Sequence, residues 1–288
     1  MVVGCLVVIA VVTLRPGATA GVIKLPAAPA SAAGPSQVAV SGLQAGACMT
    51  YPPTHGQAGR TIFIDPGHGG LDPGVVGAAG GRQVTEKDAT LAVAIKLTAL
   101  LRSDGYRVVM ARTQDSSVAA QTASDSATGS LTDSAVRRDL LERIACANAS
   151  NASVLVSIHF DGFSDPTVTG TETFYDSARP FAATSKRLAT DLQSALVSGL
   201  GMSDRGVWTD DQLAAPALTA SGNSYGHLIE LGPASAGWVD SPSQMPGALV
   251  EPLFITNPGE AAVASDAAGQ QKIAQALEQG LVKYFSGV

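Results

Sequence analysis

The stretch FIDPGHGGLDPG, residues 63–74, encloses His68 between Gly67 and Gly69. Only four histidines occur in 288 residues: His55, His68, His159 and His227. His68 directly follows the apolar run RTIFID, and His159 stands near the end of another, SVLVSIHF. A carboxylate, Glu86, comes 18 positions after His68 in VTEKD. Each residue alone has an ordinary explanation. A histidine beside a strand packs, and a glutamate in a first helical turn suits the helix dipole. Together, two histidines and one carboxylate are the protein ligands of a catalytic zinc, which leaves a position for water. A glycine loop after a strand also suits phosphate, but a phosphate loop opens a helix at its glycines. Here the helical pattern begins only near residue 86, and no lysine precedes it.

Those residues need elements that bring them together. RTIFID (60–65), YRVVMAR (106–112) and SVLVSIHF (153–160) are short apolar runs, the pattern of buried strands. TGTETFYD (169–176) alternates like a half-buried strand, and GHLIEL (226–231) and GALVEPLF (247–254) are two further short strands. Helical patterns cover 85–105, 135–150, 178–199 and about 268–285. Thr85 is placed to cap the first, with Asp88 three residues on and Gly105 at its end. Residues 114–134, rich in Ser, Thr, Ala and Asp, are a loop insertion. Alternating strands and helices predict one α/β domain over 60–288, a mostly parallel twisted sheet flanked by helices on both faces. Ligand sites in such sheets form beyond the carboxyl ends of the strands, where His68 and His159 fall.

Residues 2–14 are apolar apart from one Thr, roughly a signal-peptide core and shorter than the ~20 residues of a membrane span. A small-residue site ends at Ala20, although Arg15 follows the apolar run instead of preceding it. Residues 1–20 are read as an export signal; the plainer alternative is a buried N-terminal element. Residues 21–59, rich in Ala, Gly, Pro and Ser, are read as a linker. Cys5 would leave with the signal, so Cys48 and Cys146 remain, one pair that reads as a disulfide in an exported chain. The net charge of −6 argues against general nucleic-acid binding.

The segments IDPGHGGLDPGVVG, EKDATLAVAIKL, ANASNASVLVSIHFDG and ALVEPLFITNPGEA, in that order, resemble the motifs of zinc-dependent N-acetylmuramoyl-L-alanine amidases of cell walls. The resemblance spans most of 60–288. It implies one zinc per chain on His68, Glu86 and His159. It also implies hydrolysis of the amide between the lactyl group of N-acetylmuramic acid and L-alanine, with peptidoglycan or its muropeptide fragments as substrate.

Such a hydrolase also needs a carboxylate to move protons. Glu230 in LIELG and Glu251 in ALVEPLF both end apolar runs, so local pattern does not separate them. The family layout, a Val-Glu segment followed by Asn-Pro and a terminal helix, matches Glu251 with Asn257 and Pro258; Pro252 departs from the small residue expected there. Asp65 is read as orienting the His68 loop or accepting a hydrogen bond from a ligand histidine, and His227 as structural. Asp72 is either a turn residue or a group behind a ligand. The chain is read as a monomer without a stable membrane span once processed, with room for an activating partner. Two rivals stand: a wall-binding module that keeps the fold without catalysis, and a zinc peptidase cutting within the stem peptide.

Overall fold

A computed structural model describes residues 34–212, 219–220 and 223–287. The expected export signal, residues 1–20, and the first part of the expected linker lie outside them. Within the described residues no helix is long and apolar enough to cross a membrane.

Eight strands form one sheet: β1 (Ser36–Gln37), β2 (Met49–Tyr51), β3 (Thr61–Pro66), β4 (Arg107–Met110), β5 (Val154–Ile158), β6 (Thr171–Tyr175), β7 (Asp204–Thr209) and β8 (Gly247–Glu251). Their order is β1-β2-β4-β3-β5-β8-β6-β7. The four central strands, β4, β3, β5 and β8, are parallel. β2 joins one side antiparallel, and β6 joins the other side antiparallel with β7 parallel to it. The helices are α1 (Glu86–Ser103), α2 (Asp133–Ala149), α3 (Ala182–Leu200), α4 (Pro258–Ser265) and α5 (Ala267–Ser286).

Period-two geometry sorts the apolar side chains of the central strands to two faces. Ile62, Ile64, Val154, Val156 and Ile158 point into one core, shared with α1, α3 and α5. Phe63 and Leu155 point into the other, shared with Cys146 and Ala147 of α2. Both faces are covered, which is why the central strands read as continuous apolar runs. On α1, Val93, Leu97 and Leu101 recur at helical spacing and are fully buried. Each such leucine contributes roughly 1.5–3 kcal/mol of burial. The chain leaves α1 through Gly105, whose φ of +91° is in the region glycine tolerates.

Several sequence expectations are corrected. The linker does not reach residue 59: β1 and β2 belong to the sheet, so the domain begins before Arg60. Their two- and three-residue lengths are too short to show an apolar period. GHLIEL is not a strand, since residues 229–232 are turn and bend. Its Ile229 and Leu231 are buried under irregular backbone, which imitates a buried strand in sequence. The last expected helix, about 268–285, is α5, and a short helix that the sequence did not suggest, α4, precedes it; Asp266 between them accepts from the Ala268 and Gly269 amides. Thr85 precedes α1 without capping its backbone; its hydroxyl donates to Asp88 instead. The residues between β3 and α1, for which the sequence suggests no strand, contain an antiparallel hairpin, Val76–Ala79 with Arg82–Thr85.

Cys48 and Cys146, 98 positions apart in the chain, are joined, with Cα atoms 5.7 Å apart. Both sulfurs are buried in the α2-side core, so the bond ties the N-terminal strands to α2. Closing so long a loop restricts the unfolded chain and contributes roughly 2–4 kcal/mol. The double variant Cys48→Ser, Cys146→Ser should therefore melt about 5–15 °C lower in thermal denaturation. An unchanged melting temperature would mean that the bond is stabilising nothing.

Candidate metal centre

Three central strands end in register. Pro66 of β3 lies opposite Ile158 of β5, and Ile158 lies opposite Val250 of β8. The next residues along are therefore Gly67, His159 and Glu251, side by side at one edge of the sheet. His68 is one position further. The His159 amide donates to the Val250 carbonyl, and the Gly67 amide to the Ile158 carbonyl, which carries the ladder past the strand ends.

Glu86 reaches the same edge as the first residue of α1. Its amide donates to the Val75 carbonyl, and the Val76–Thr85 hairpin returns the chain from β3 to this point. Its Oε1 lies 3.1 Å from His68 Nε2 and 2.9 Å from His159 Nδ1, and it also accepts the Phe160 amide at 2.9 Å. Its Oε2 accepts the Val75 amide at 2.7 Å. The two imidazole nitrogens are 3.1 Å apart. Both rings thus aim one nitrogen at one carboxylate oxygen, the donor set that a catalytic zinc takes. Asp72 Oδ2 lies 2.8 Å from the other nitrogen of His68, fixing the ring from behind as carboxylates do for metal-ligating histidines.

The glycines around His68 make room for these ligands. A Cβ on Gly67 would meet His159 Cε1 at 2.4 Å. One on Gly74 would meet Glu86 Oε2 at 2.5 Å, and Gly74 also has φ +65°. His68 itself has φ +60°, an uncommon conformation for a residue with a side chain. Two buried arginines hold the turn there. Arg143 of α2 donates to Asp65 Oδ1 at 2.6 Å, to the Pro66 carbonyl at 2.9 Å and to the His68 carbonyl at 2.7 Å. Its charge is also met by Asp139 at 2.8 Å. Arg112 donates to the carbonyls of Pro66, Gly67 and Lys87. Asp65 therefore orients the His68 loop through Arg143 rather than by touching a ligand histidine. Sequence reading missed both arginines; the one available signal is Asp139 and Arg143 at i, i+4 spacing on a helix face.

Electrostatics follow from this packing. Burial raises the Glu86 carboxyl, but the two imidazoles outweigh it and hold the group well below the usual carboxylate range. Burial pulls His68 down, while Glu86 and Asp72 outweigh it and push the ring up to about 10. Glu251 goes the other way: burial first, then the charges of Asp161, Glu86 and Glu172, push its carboxyl well above the usual range. Its Oε2 is buried without a hydrogen-bond partner. Glu172 faces Glu251 across β6 and β8 and is itself held by Arg205 Nε at 2.9 Å.

His68, Asp72, Glu86, His159, Asp161 and Glu251 line one open cleft of about 460 Å³. Glu230 does not line it. It is buried beneath, within hydrogen-bond distance of Ser157, and burial and Asp65 raise its carboxyl. His227 is also outside the cleft, near Asp176 and Asp210.

A mostly parallel sheet with a two-histidine, one-carboxylate cluster at its carboxyl edge, and a further glutamate beside it, is the architecture of a metal-dependent α/β hydrolase. Residues 62–283 match the family N-acetylmuramoyl-L-alanine amidase, Amidase_3, and the chain belongs to that family of peptidoglycan hydrolases. It is 32% identical over 227 residues to the N-acetylmuramoyl-L-alanine amidase LytC of Bacillus subtilis, covering 79% of this chain and 36% of that protein. It is 28% identical to the amidase AmiA of Salmonella typhimurium, over 78% of this chain and 76% of that one. The CwlD amidase of Clostridioides difficile, solved in complex with the GerS lipoprotein, superimposes with a TM-score of 0.62 at 28% identity, covering 80% of this chain and all of that one. The chain spans about a third of the length of LytC and about three quarters of AmiA.

With its ring pushed up to about 10, the metal-free His68 carries a proton at neutral pH, so a cation must displace that proton to bind. Affinity should therefore increase as pH rises, and calorimetry in buffers of different ionisation enthalpy should register proton release. Replacing Asp72 with Asn should weaken metal affinity by about 10–100-fold. Equal affinity in the Asp72→Asn protein would show that Asp72 is only a turn residue.

Proposed function

We propose that this chain is an exported, zinc-dependent amidase that cuts the bond between the lactyl group of N-acetylmuramic acid and L-alanine. The observation that carries the reading is the register of β3, β5 and β8, which sets Gly67 and His68, His159 and Glu251 side by side with Glu86 facing them. His68 Nε2, His159 Nδ1 and Glu86 Oε1 are the groups that would hold zinc. Bound there, zinc supplies a Lewis acid that polarises the amide carbonyl and acidifies a water.

The remaining chemistry belongs to the chain. Glu251 takes the proton of the attacking water and delivers it to the alanine nitrogen as the C–N bond breaks. The products are a free muramoyl carboxyl and a stem peptide. Its buried environment keeps the carboxyl basic enough for that exchange, and a divalent charge in the cleft opposes the rise caused by Glu86, Glu172 and Asp161. Glu172, fixed by Arg205, supports the Glu251 side from the next strand. The openness of the cleft suits an extended glycan carrying its peptide. Export is supported by the apolar segment at 2–14 and by the Cys48–Cys146 bond.

Glu251→Gln should lower turnover of purified peptidoglycan by about 10²–10⁴-fold while zinc stays near one per chain at this centre. Glu230→Gln should retain turnover. The reverse pattern would move the proton transfer to Glu230. Mass analysis of the digest checks the bond: free muramoyl carboxyl ends support the amidase, whereas stem peptides cut internally would make the enzyme a peptidase.

A further inference from the structure

A second set of metal-competent side chains lies at the opposite end of the sheet. β6 runs antiparallel to β8, so Glu172 at its start is near Glu251 while its other end points away from the cleft. Asp176 follows that end, and Asp210 follows the parallel strand β7, where Tyr175 pairs with Thr209. The turn carrying His227 closes over both: the Leu228 amide donates to Asp210 Oδ2 at 2.9 Å.

The three side chains converge. His227 Nδ1 lies 2.9 Å from Asp176 Oδ2 and 3.3 Å from Asp210 Oδ1. One ring nitrogen cannot serve two carboxylates as a donor. Its hydrogen-bond geometry is met toward Asp210, which leaves Asp176 Oδ2 buried without any donor. Asp176 is 2% exposed and Asp210 fully buried, so water does not compensate them. Among the described residues no lysine or arginine pairs with either carboxylate. The nearby Arg179 is spent on the Gly232 and Ser243 carbonyls and on the face of Phe181. Two buried carboxylates facing one imidazole, with an orphaned oxygen aimed at the meeting point, outnumber the single positive charge that the imidazole could carry. Buried charge of this kind is normally paired or coordinates a metal.

We propose that Asp176, Asp210 and His227 form a second divalent-cation site, separate from the His68 centre, which clamps the ends of β6 and β7 to the turn at His227. Two carboxylates and one imidazole are a mixed oxygen and nitrogen donor set, suited to Zn²⁺, which takes imidazole and carboxylate together, rather than to a soft ion such as Cu⁺. The cation neutralises the pair and adds to stability because it binds only the folded arrangement.

The test is metal stoichiometry on the whole chain, stripped with chelator, reloaded with Zn²⁺ and desalted. The unaltered protein should hold two ions, and His68→Ala one, because its second cluster is intact. Asp210→Asn should hold one, and the combined variant none. The thermal midpoint gives an independent reading: added Zn²⁺ should raise it for His68→Ala but not for His68→Ala with Asp210→Asn. The Asp210→Asn protein should also keep its peptidoglycan turnover, which separates loss of this ion from loss of the catalytic one. One ion in the unaltered protein with none in His68→Ala, or a midpoint shift in the combined variant equal to that in His68→Ala, overturns the proposal.

Discussion

The site rests on a charge that cannot be left alone. Arg143 is fully buried under the carboxyl ends of β3 and β5, where its desolvation is tolerable only with partners on every side. Asp65 and Asp139 supply the charge, and the carbonyls of Pro66 and His68 take the remaining donors. The backbone at His68 is thereby fixed in a left-handed conformation that a side-chain-bearing residue seldom adopts. Without that network the imidazole would not face Glu86. With it, α2 on one face of the sheet and α1 on the other both bear on the same turn.

Glycine and charge work together in this corner. The chain has to pass His159 at Gly67 and Glu86 at Gly74 with no room for a Cβ. The ligand atoms approach within hydrogen-bond distance of one another because the backbone gives way around them. On the far side of the cleft, Glu251 is kept free of hydrogen-bond partners on one oxygen. A buried carboxylate in that condition is costly for stability and suited to accepting and releasing a proton.

Family membership is consistent with this economy. The relatives share about 30% of residues with this chain, yet the fold matches over four fifths of it. Two segments outside the four motifs bear on the site from its flanks: Asp115 accepts the Gly70 amide and the Lys87 ammonium beside the His68 loop, and Arg205, beyond α3, holds Glu172 next to Glu251. Beyond β7, Asp210 and His227 join Asp176 in the second cluster of metal-competent groups.

The sequence by itself determined the parallel core, the four longer helices and three side chains, His68, Glu86 and His159, that the fold gathers at one edge of the sheet. Apolar runs at 60–65, 153–160 and 247–254 specify buried strands, and the places of His68, Glu86 and His159 at strand and helix ends bring them within reach of one another. It did not reveal β1 and β2, because two or three residues carry no period, and it made a strand of 226–231, because a buried turn can be as apolar as a strand. Glu230 and Glu251 were equivalent by local pattern and separable only by family layout. The tertiary structure distinguishes them by register: Val250 pairs with Ile158, so Glu251 stands beside His159 in the cleft, while Glu230 is buried beneath it against Asp65 and Ser157. Hydrogen bonding between strands distant in sequence sets that register, and so do the roles of Arg112, Arg143 and Asp72. None of these pairings is encoded in local spacing.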